Sequence, residues 1–214
     1  MDKILWQPSK EAIENAEFTR LITALNSEFS LELQTYQQLH EWSVNYPEKF
    51  WGFLWTFLDV KAKKSYDSVL ETTSMLESKW FRGAQLNYAE NCLRYNDDGL
   101  AIIAVNESGE IARRTYKQLA DQVSKMQQLL LSKGVLKGDR VVGLVSNCEE
   151  SIVCFLACAS IGAIWASCST EFAAEAVLSR FGPLNPTCFV FSQNYYYKKR
   201  AFSTTNTVEE LFNL

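Results

Sequence analysis

The stretch over residues 134–169, GVLKGDRVVGLVSNCEESIVCFLACASIGAIWASCS, leaves few folds open to this chain. Residues 140–145 form a short apolar run rich in β-branched side chains, the pattern of a strand buried on both faces. Ser146 and Asn147 mark a turn. Glu149 and Glu150 follow, where acidic residues favour a helix N-terminus. Residues 152–161 are apolar on every side, which predicts a buried helix. Gly162 ends it, and residues 163–167 give a second strand. Two parallel strands joined by a helix make a right-handed crossover, the unit from which α/β domains are built.

The flanks extend that unit. Downstream, a helix over 174–181 is stopped by Pro183 and Pro186, and residues 188–191 give a third parallel strand. Residues 194–200 read as a Tyr-rich basic loop. A last helix begins near residue 207, capped by Thr207 or Asn206. It reaches Leu214 after about two turns, marginal unless docked, so the chain reads as stopping short of a domain end. Upstream, strands over 100–105 and 111–114 flank a turn at Glu107, Ser108, Gly109 and Glu110, giving a hairpin. Thr115 then caps a helix whose apolar face is Leu119, Val123, Met126 and Leu130. Lys133 and Gly134 end it.

The first 95 residues are different in kind. A helix over 10–26 lacks a clean apolar stripe, and a second over 36–45 places Tyr36, Leu39 and Ser43 on one face. Pro47 suits a first helical turn. Phe50, Leu54 and Phe57 recur at helical spacing, widened by Trp51, Trp55 and Leu58. Core packing is expected of them, with an aromatic ligand box as the alternative. The expected architecture is therefore α/β: a helical extension over 1–95, then, over 96–214, an incomplete, mainly parallel sheet with helices on its faces.

Composition narrows the chemistry. A net charge of −4 over 214 residues gives no pull toward nucleic acid or an anionic membrane. Six cysteines, with no secretory signal in residues 1–6, suggest a reducing cytoplasm. Residues 151–168 carry no charge, but that length only reaches the transmembrane threshold of about 18, and Gly162 splits it. A membrane protein is thus the weakest alternative. Cys148, Cys154, Cys158 and Cys168 match no metal-ligand spacing and have no His nearby, so packing is the expected role and metal or redox chemistry the alternative. His40, the lone histidine, has no Ser or Asp partner indicated. Neither the P-loop nor the dinucleotide fingerprint occurs. Ser203, Thr204 and Thr205 lack the glycines that bring backbone N–H groups onto a phosphate.

A family resemblance rests on ordered motifs across residues 9–200. Gly134-Val135, Gly138-Asp139-Arg140-Val141, the ACASIGA run over 157–163 and Trp165-Ala166-Ser167-Cys168-Ser169 resemble the opening of the adenylate-forming acyl-CoA synthetases. Trp42-Ser43-Val44, Pro47-Glu48 and Phe50-Trp51 are similar to the helical extension of that family's acetyl- and acetoacetyl-activating branches. Trp80-Phe81-Arg82-Gly83-Ala84 resembles the family's Trp-Phe-Pro-Gly-Ala, with Arg82 in place of Pro. Leu86-Asn87-Tyr88-Ala89-Glu90-Asn91 points to the acetoacetyl branch, and residues 86–94 read as a helix docking the extension onto the α/β domain.

The resemblance implies an acid–thiol ligase that uses ATP and Mg to form an acyl-adenylate and then passes the acyl group to coenzyme A. It also implies that the family's nucleotide loop, ribose-binding Asp and adenylation Lys lie beyond Leu214. The expectation is therefore a truncated N-terminal part with no catalytic or metal-binding residue of its own, inactive alone. The alternative is a non-catalytic interaction module pairing with the remainder of such an enzyme. Self-association through an uncovered sheet is expected of either. By the same resemblance, coenzyme A contact falls to Ser169 and Phe172 after the second strand, and to Lys199 and Arg200 in the basic loop. There the branch has Tyr-Arg-Tyr-Asn-Gly-Lys where this chain has Tyr195-Tyr196-Tyr197-Lys198-Lys199-Arg200.

Overall fold

A computed structural model describes residues 5–72, 74–107, 109 and 111–214. The chain forms two compact units, Met1–Gln85 and Leu86–Leu214. Four of the six N-terminal residues weighed for a leader, and Ser108 and Glu110 of the expected hairpin turn, lie outside the described residues.

In the first unit, α1 (Lys10–Glu14) and α2 (Glu17–Phe29) stand where one helix over 10–26 was expected. The break falls at Ala16, which is extended at φ −70° and ψ 138°. The Thr19 hydroxyl donates to the Ile13 carbonyl across the corner, so a side chain replaces the helical bond the backbone gives up. α3 (Tyr36–Asn45) starts at a capping box in which Thr35 and Gln38 satisfy each other's backbone N–H groups. α4 (Pro47–Phe57) begins with Pro at its first position.

The aromatic face of α4 packs within the unit. Trp55 lies between Tyr66, with ring centroids 5.2 Å apart, and Phe81, at 4.8 Å. Phe53 meets Phe57 and Phe29. The strands β1 (Ser68–Glu71) and β2 (Lys79–Arg82) form an antiparallel pair that the sequence pattern does not suggest. Arg82 lies in β2 and holds Glu71 at 2.7 Å. The hydrogen bond from Ser68, then that from Arg82, keep the Glu71 carboxyl below the usual carboxylate range.

The second unit opens with α5 (Tyr88–Cys92), then the antiparallel pair β3 (Leu100–Val105) and β4 (Ile111–Thr115). Next come α6 (Tyr116–Ser132), β5 (Arg140–Leu144), α7 (Glu149–Ser160), β6 (Ile164–Cys168), α8 (Ala174–Phe181) and β7 (Cys188–Phe191). β8 (Asn194–Tyr197), β9 (Arg200–Ser203) and α9 (Thr205–Asn213) complete it. The central sheet has the order β6-β5-β7, all parallel.

Alternation along β5 assigns the layers. Val141 faces the cluster built by Leu119, Val123 and Leu130 of α6 with Val153, Leu156, Ala157 and Cys158 of α7. Val142 and Leu144 face the opposite cluster, with Val177 and Phe181 of α8 and Val208 of α9. α7 departs from the expectation of burial all round: Ile152 is 40% and Phe155 37% exposed, the latter only partly covered by the Tyr88 ring of α5 at 5.6 Å. Cys154 and Cys158 are buried and free, and no three metal-ligating side chains gather among the described residues. No helix among them is long and apolar enough to cross a membrane.

Candidate ligand-binding edge of the sheet

In open parallel sheets, ligands bind where the strands end at their carboxyl edge. Here that edge is stitched together by backbone and hydroxyl bonds. The Val145 N–H donates to the Cys168 carbonyl at 3.1 Å, and the Ser192 N–H to the Leu144 carbonyl at 2.9 Å. The Ser146 N–H donates to Ser192 Oγ at 3.2 Å. A cleft of about 460 Å³ opens there, lined by residues that include Ser146, Asn147, Phe155, Trp165, Ser167 and Ser169. One wall depends on a glycine: a Cβ added at Gly143 would fall 2.5 Å from the Trp165 ring. The indole can lie on β5 because that position is bare.

Ser169 follows β6 directly and is exposed at the rim of this cleft. Phe172 closes the same turn, its N–H donating to the Ser169 carbonyl at 3.3 Å. Its ring packs against the cluster under α8, and the Arg180 guanidinium lies 4.1 Å above it. Ser169 is thus the open member of the pair.

Lys199 and Arg200 lie in a hairpin, where a basic loop over 194–200 was expected. β8 and β9 pair antiparallel from Asn194↔Ser203 to Tyr197↔Arg200, and the Tyr195 and Phe202 rings stack at 5.4 Å. The two turn residues, Lys198 and Lys199, both have positive φ, 50° and 62°. That is the primed turn of a tight hairpin, normally built from Asn-Gly. The root is held by Thr204, 1% exposed, whose hydroxyl donates to the Ser192 carbonyl at 2.6 Å. Thr204 is also the cap residue of α9, in place of Thr207 or Asn206, although its side chain bonds Ser192 rather than the helix.

At the tip, the Lys199 N–H donates to Glu107 Oε2 at 2.9 Å. Ser169 and Phe172 follow the end of β6 at the carboxyl edge, whereas Lys199 and Arg200 stand at the tip of a hairpin rooted beyond the end of β7. Strand spacing sets these two strand ends about 10 Å apart. Sequence reasoning missed Glu107, 92 residues from its partner, and no local pattern could have pointed to it. It also missed Gly143, whose signal was visible as an isolated Gly inside a strand.

A triphosphate does not fit this edge. The turns after β5, β6 and β7 contain no glycine, so none of them can wrap a phosphate closely with successive backbone N–H groups. Against coenzyme A the fit is partial: Lys199 and Arg200 are exposed cations at the hairpin tip, and Ser169 is open at the rim. His40 is far from such chemistry in kind, an exposed ring stacked on Tyr36 in α3.

The family profile for the acetyl-coenzyme A synthetase N-terminus matches residues 36–92, and that for AMP-binding enzymes matches residues 89–211, more than half of the chain. The chain belongs to the AMP-binding enzyme family. Among its relatives, the acetoacetyl-coenzyme A synthetase of Rhizobium meliloti (strain 1021) is 35% identical over 196 residues, 92% of this chain and 30% of that protein. The acetoacetyl-CoA synthetase of Danio rerio is 38% identical over 189 residues, 86% of this chain and 28% of that protein. The solved acetoacetyl-CoA synthetase from Streptomyces lividans superposes with a TM-score of 0.91 at 34% identity, covering 99% of this chain and 33% of that one. The chain spans about 30% of the length of the curated relatives it matches, and its likeness is to their N-terminal region.

Proposed function

We propose that this chain supplies the N-terminal region of an AMP-forming acetoacetate–CoA ligase acting in the cytoplasm. Its first 95 residues serve as the extension, and residues 96–214 as the first part of the adenylate-forming domain. Such a ligase joins acetoacetate to the α-phosphate of ATP, with Mg, releasing pyrophosphate. The thiol of coenzyme A then displaces AMP to give the thioester. In this reading the chain's own residues serve coenzyme A. Ser169, beside the Phe172 turn, borders its path, while Lys199 and Arg200 attract its phosphates. Handling of the triphosphate falls to groups outside these 214 residues. The observation that carries the reading is the superposition of 99% of the chain on an acetoacetyl-CoA synthetase.

The test joins residues 1–214 to the remaining length of the Streptomyces lividans enzyme and follows acetoacetate-dependent pyrophosphate release. The fusion should turn over and the 214-residue chain alone should not, since in this reading the groups that stabilise charge on the transferring phosphorus are supplied by the rest of the enzyme. A folded but inactive fusion, or turnover by the chain alone, would overturn the reading. A second reading, a non-catalytic module that pairs with the remainder of such an enzyme, is favoured by the exposed apolar side chains Ile152, Phe155 and Ile164. It predicts a complex with that remainder but no gain in turnover.

A further inference from the structure

The β8–β9 hairpin presents a physical problem. A two-stranded hairpin is marginal by itself, and all four residues of β9 are exposed. Its turn is also poorly chosen: Lys198 and Lys199 both occupy the left-handed region, where a side chain crowds the following carbonyl. Stacking of Tyr195 on Phe202 and the Lys198 ammonium 5.2 Å from the Tyr197 ring stabilise the strands. Neither contact fixes the turn backbone. At the root, Thr204 bonds the Ser192 carbonyl, and the Thr204 N–H donates to the Gln193 carbonyl at 3.0 Å. A contact reaches the tip from elsewhere in the fold: Glu107, just beyond β3, accepts the Lys199 N–H at 2.9 Å.

We propose that Glu107 is a positioning residue for coenzyme A binding: its carboxylate locks the strained Lys198-Lys199 turn, so that Lys199 and Arg200 are held at the hairpin tip in fixed register. The proposal rests on the coenzyme A reading above. A carboxylate beside cations that attract phosphate works against them electrostatically. Its presence there is accounted for by the backbone N–H it holds, since a charge-assisted bond is stronger than a neutral one. Position and charge therefore act in opposite directions, and two substitutions separate them. Glu107→Gln keeps an acceptor oxygen and removes the charge. Glu107→Ala removes both.

Two readouts are taken on the 214-residue chain. Hydrogen exchange at the Lys199 amide reads the lock with no ligand present. Calorimetric titration with coenzyme A at low salt reads the site. In Glu107→Ala the Lys199 amide should exchange roughly fivefold faster, the effect of losing one hydrogen bond, and coenzyme A should bind more weakly. In Glu107→Gln exchange should stay near wild type and binding should be equal or tighter. Unchanged exchange in Glu107→Ala would overturn the lock. Faster exchange with unchanged coenzyme A affinity would overturn the positioning role. Heats identical for wild type, Lys199→Ala and Arg200→Ala would remove the basic turn from the site, whatever the fusion enzyme does.

Discussion

Asn87 serves two helix ends with one side chain. Its Oδ1 accepts the Ala89 and Glu90 N–H groups at the start of α5, while its Nδ2 donates to the Ala159 and Ser160 carbonyls at the end of α7, at 3.0 and 3.1 Å. Both sets are backbone groups that a helix cannot satisfy internally. Asn87→Ala should therefore cost about 1–2 kcal/mol, the upper range for a lost cap. Asn87→Asp should be no better: it keeps the acceptor but sets a negative charge against carbonyls at a helix C-terminus, where anions are unfavourable. Urea denaturation checks both, and a wild-type midpoint for Asn87→Asp would show that the α7 contact contributes nothing. Gly143 makes the complementary point about space. Gly143→Ala drives a methyl into the Trp165 ring, and overpacking of this kind costs roughly 1–3 kcal/mol. The double variant Gly143→Ala, Trp165→Leu should recover part of the loss in the same assay, because it removes the ring that clashes.

Elements whose ends carry their own punctuation were legible in the sequence. Thr115 and Gly134 bracket α6, Pro47 opens α4, and the runs over 140–145 and 188–191 sit at β5 and β7. What escaped lacked local chemistry. The β8–β9 turn carries Lys-Lys, which signals charge rather than φ > 0, so the hairpin passed for a loop. The α1–α2 corner is made by a hydroxyl bond rather than by Gly or Pro. At the candidate edge the order of strands and turns placed the Ser169 turn, whereas the hairpin over 194–203 and the Glu107 contact exist only in the fold.

α7 illustrates how an element sets reactivity. Burial, and then neighbouring charges, push the Cys154 thiol from 9.0 to about 11 and Cys158 to about 12. The folded state thus holds these protons more tightly than the unfolded chain does. Their stabilising effect is fully present below pH 9 and is lost as pH rises through 9 toward 12. Thermal midpoints should fall across that window, and Cys154→Ala with Cys158→Ala should flatten the fall. An equal slope in the double variant would assign alkaline loss to other groups.

At the scale of the molecule, apolar surface decides behaviour in solution. On the α7 side of the sheet, Ile152 and Phe155 are 40% and 37% exposed, and Ile164, on the opposite face of β6, is 53% exposed. On the α9 side, Phe191 and Phe212 are exposed beside an apolar cleft of about 210 Å³ lined by Phe189, Leu211 and Pro186. β6 and β7 are both edge strands, and an edge beside an apolar face is a template for association. Covering roughly 400 Å² of apolar surface yields about 10 kcal/mol. Association itself costs about 4–15 kcal/mol. The terms nearly balance, so the 214-residue chain should self-associate weakly and reversibly rather than form a tight dimer. Light scattering should show an apparent mass that rises with concentration, and an apolar dye should fluoresce most in dilute samples, where the faces are open. A concentration-independent monomer that binds no dye would mean that these faces are closed in solution, and the unit would then be self-sufficient as it stands.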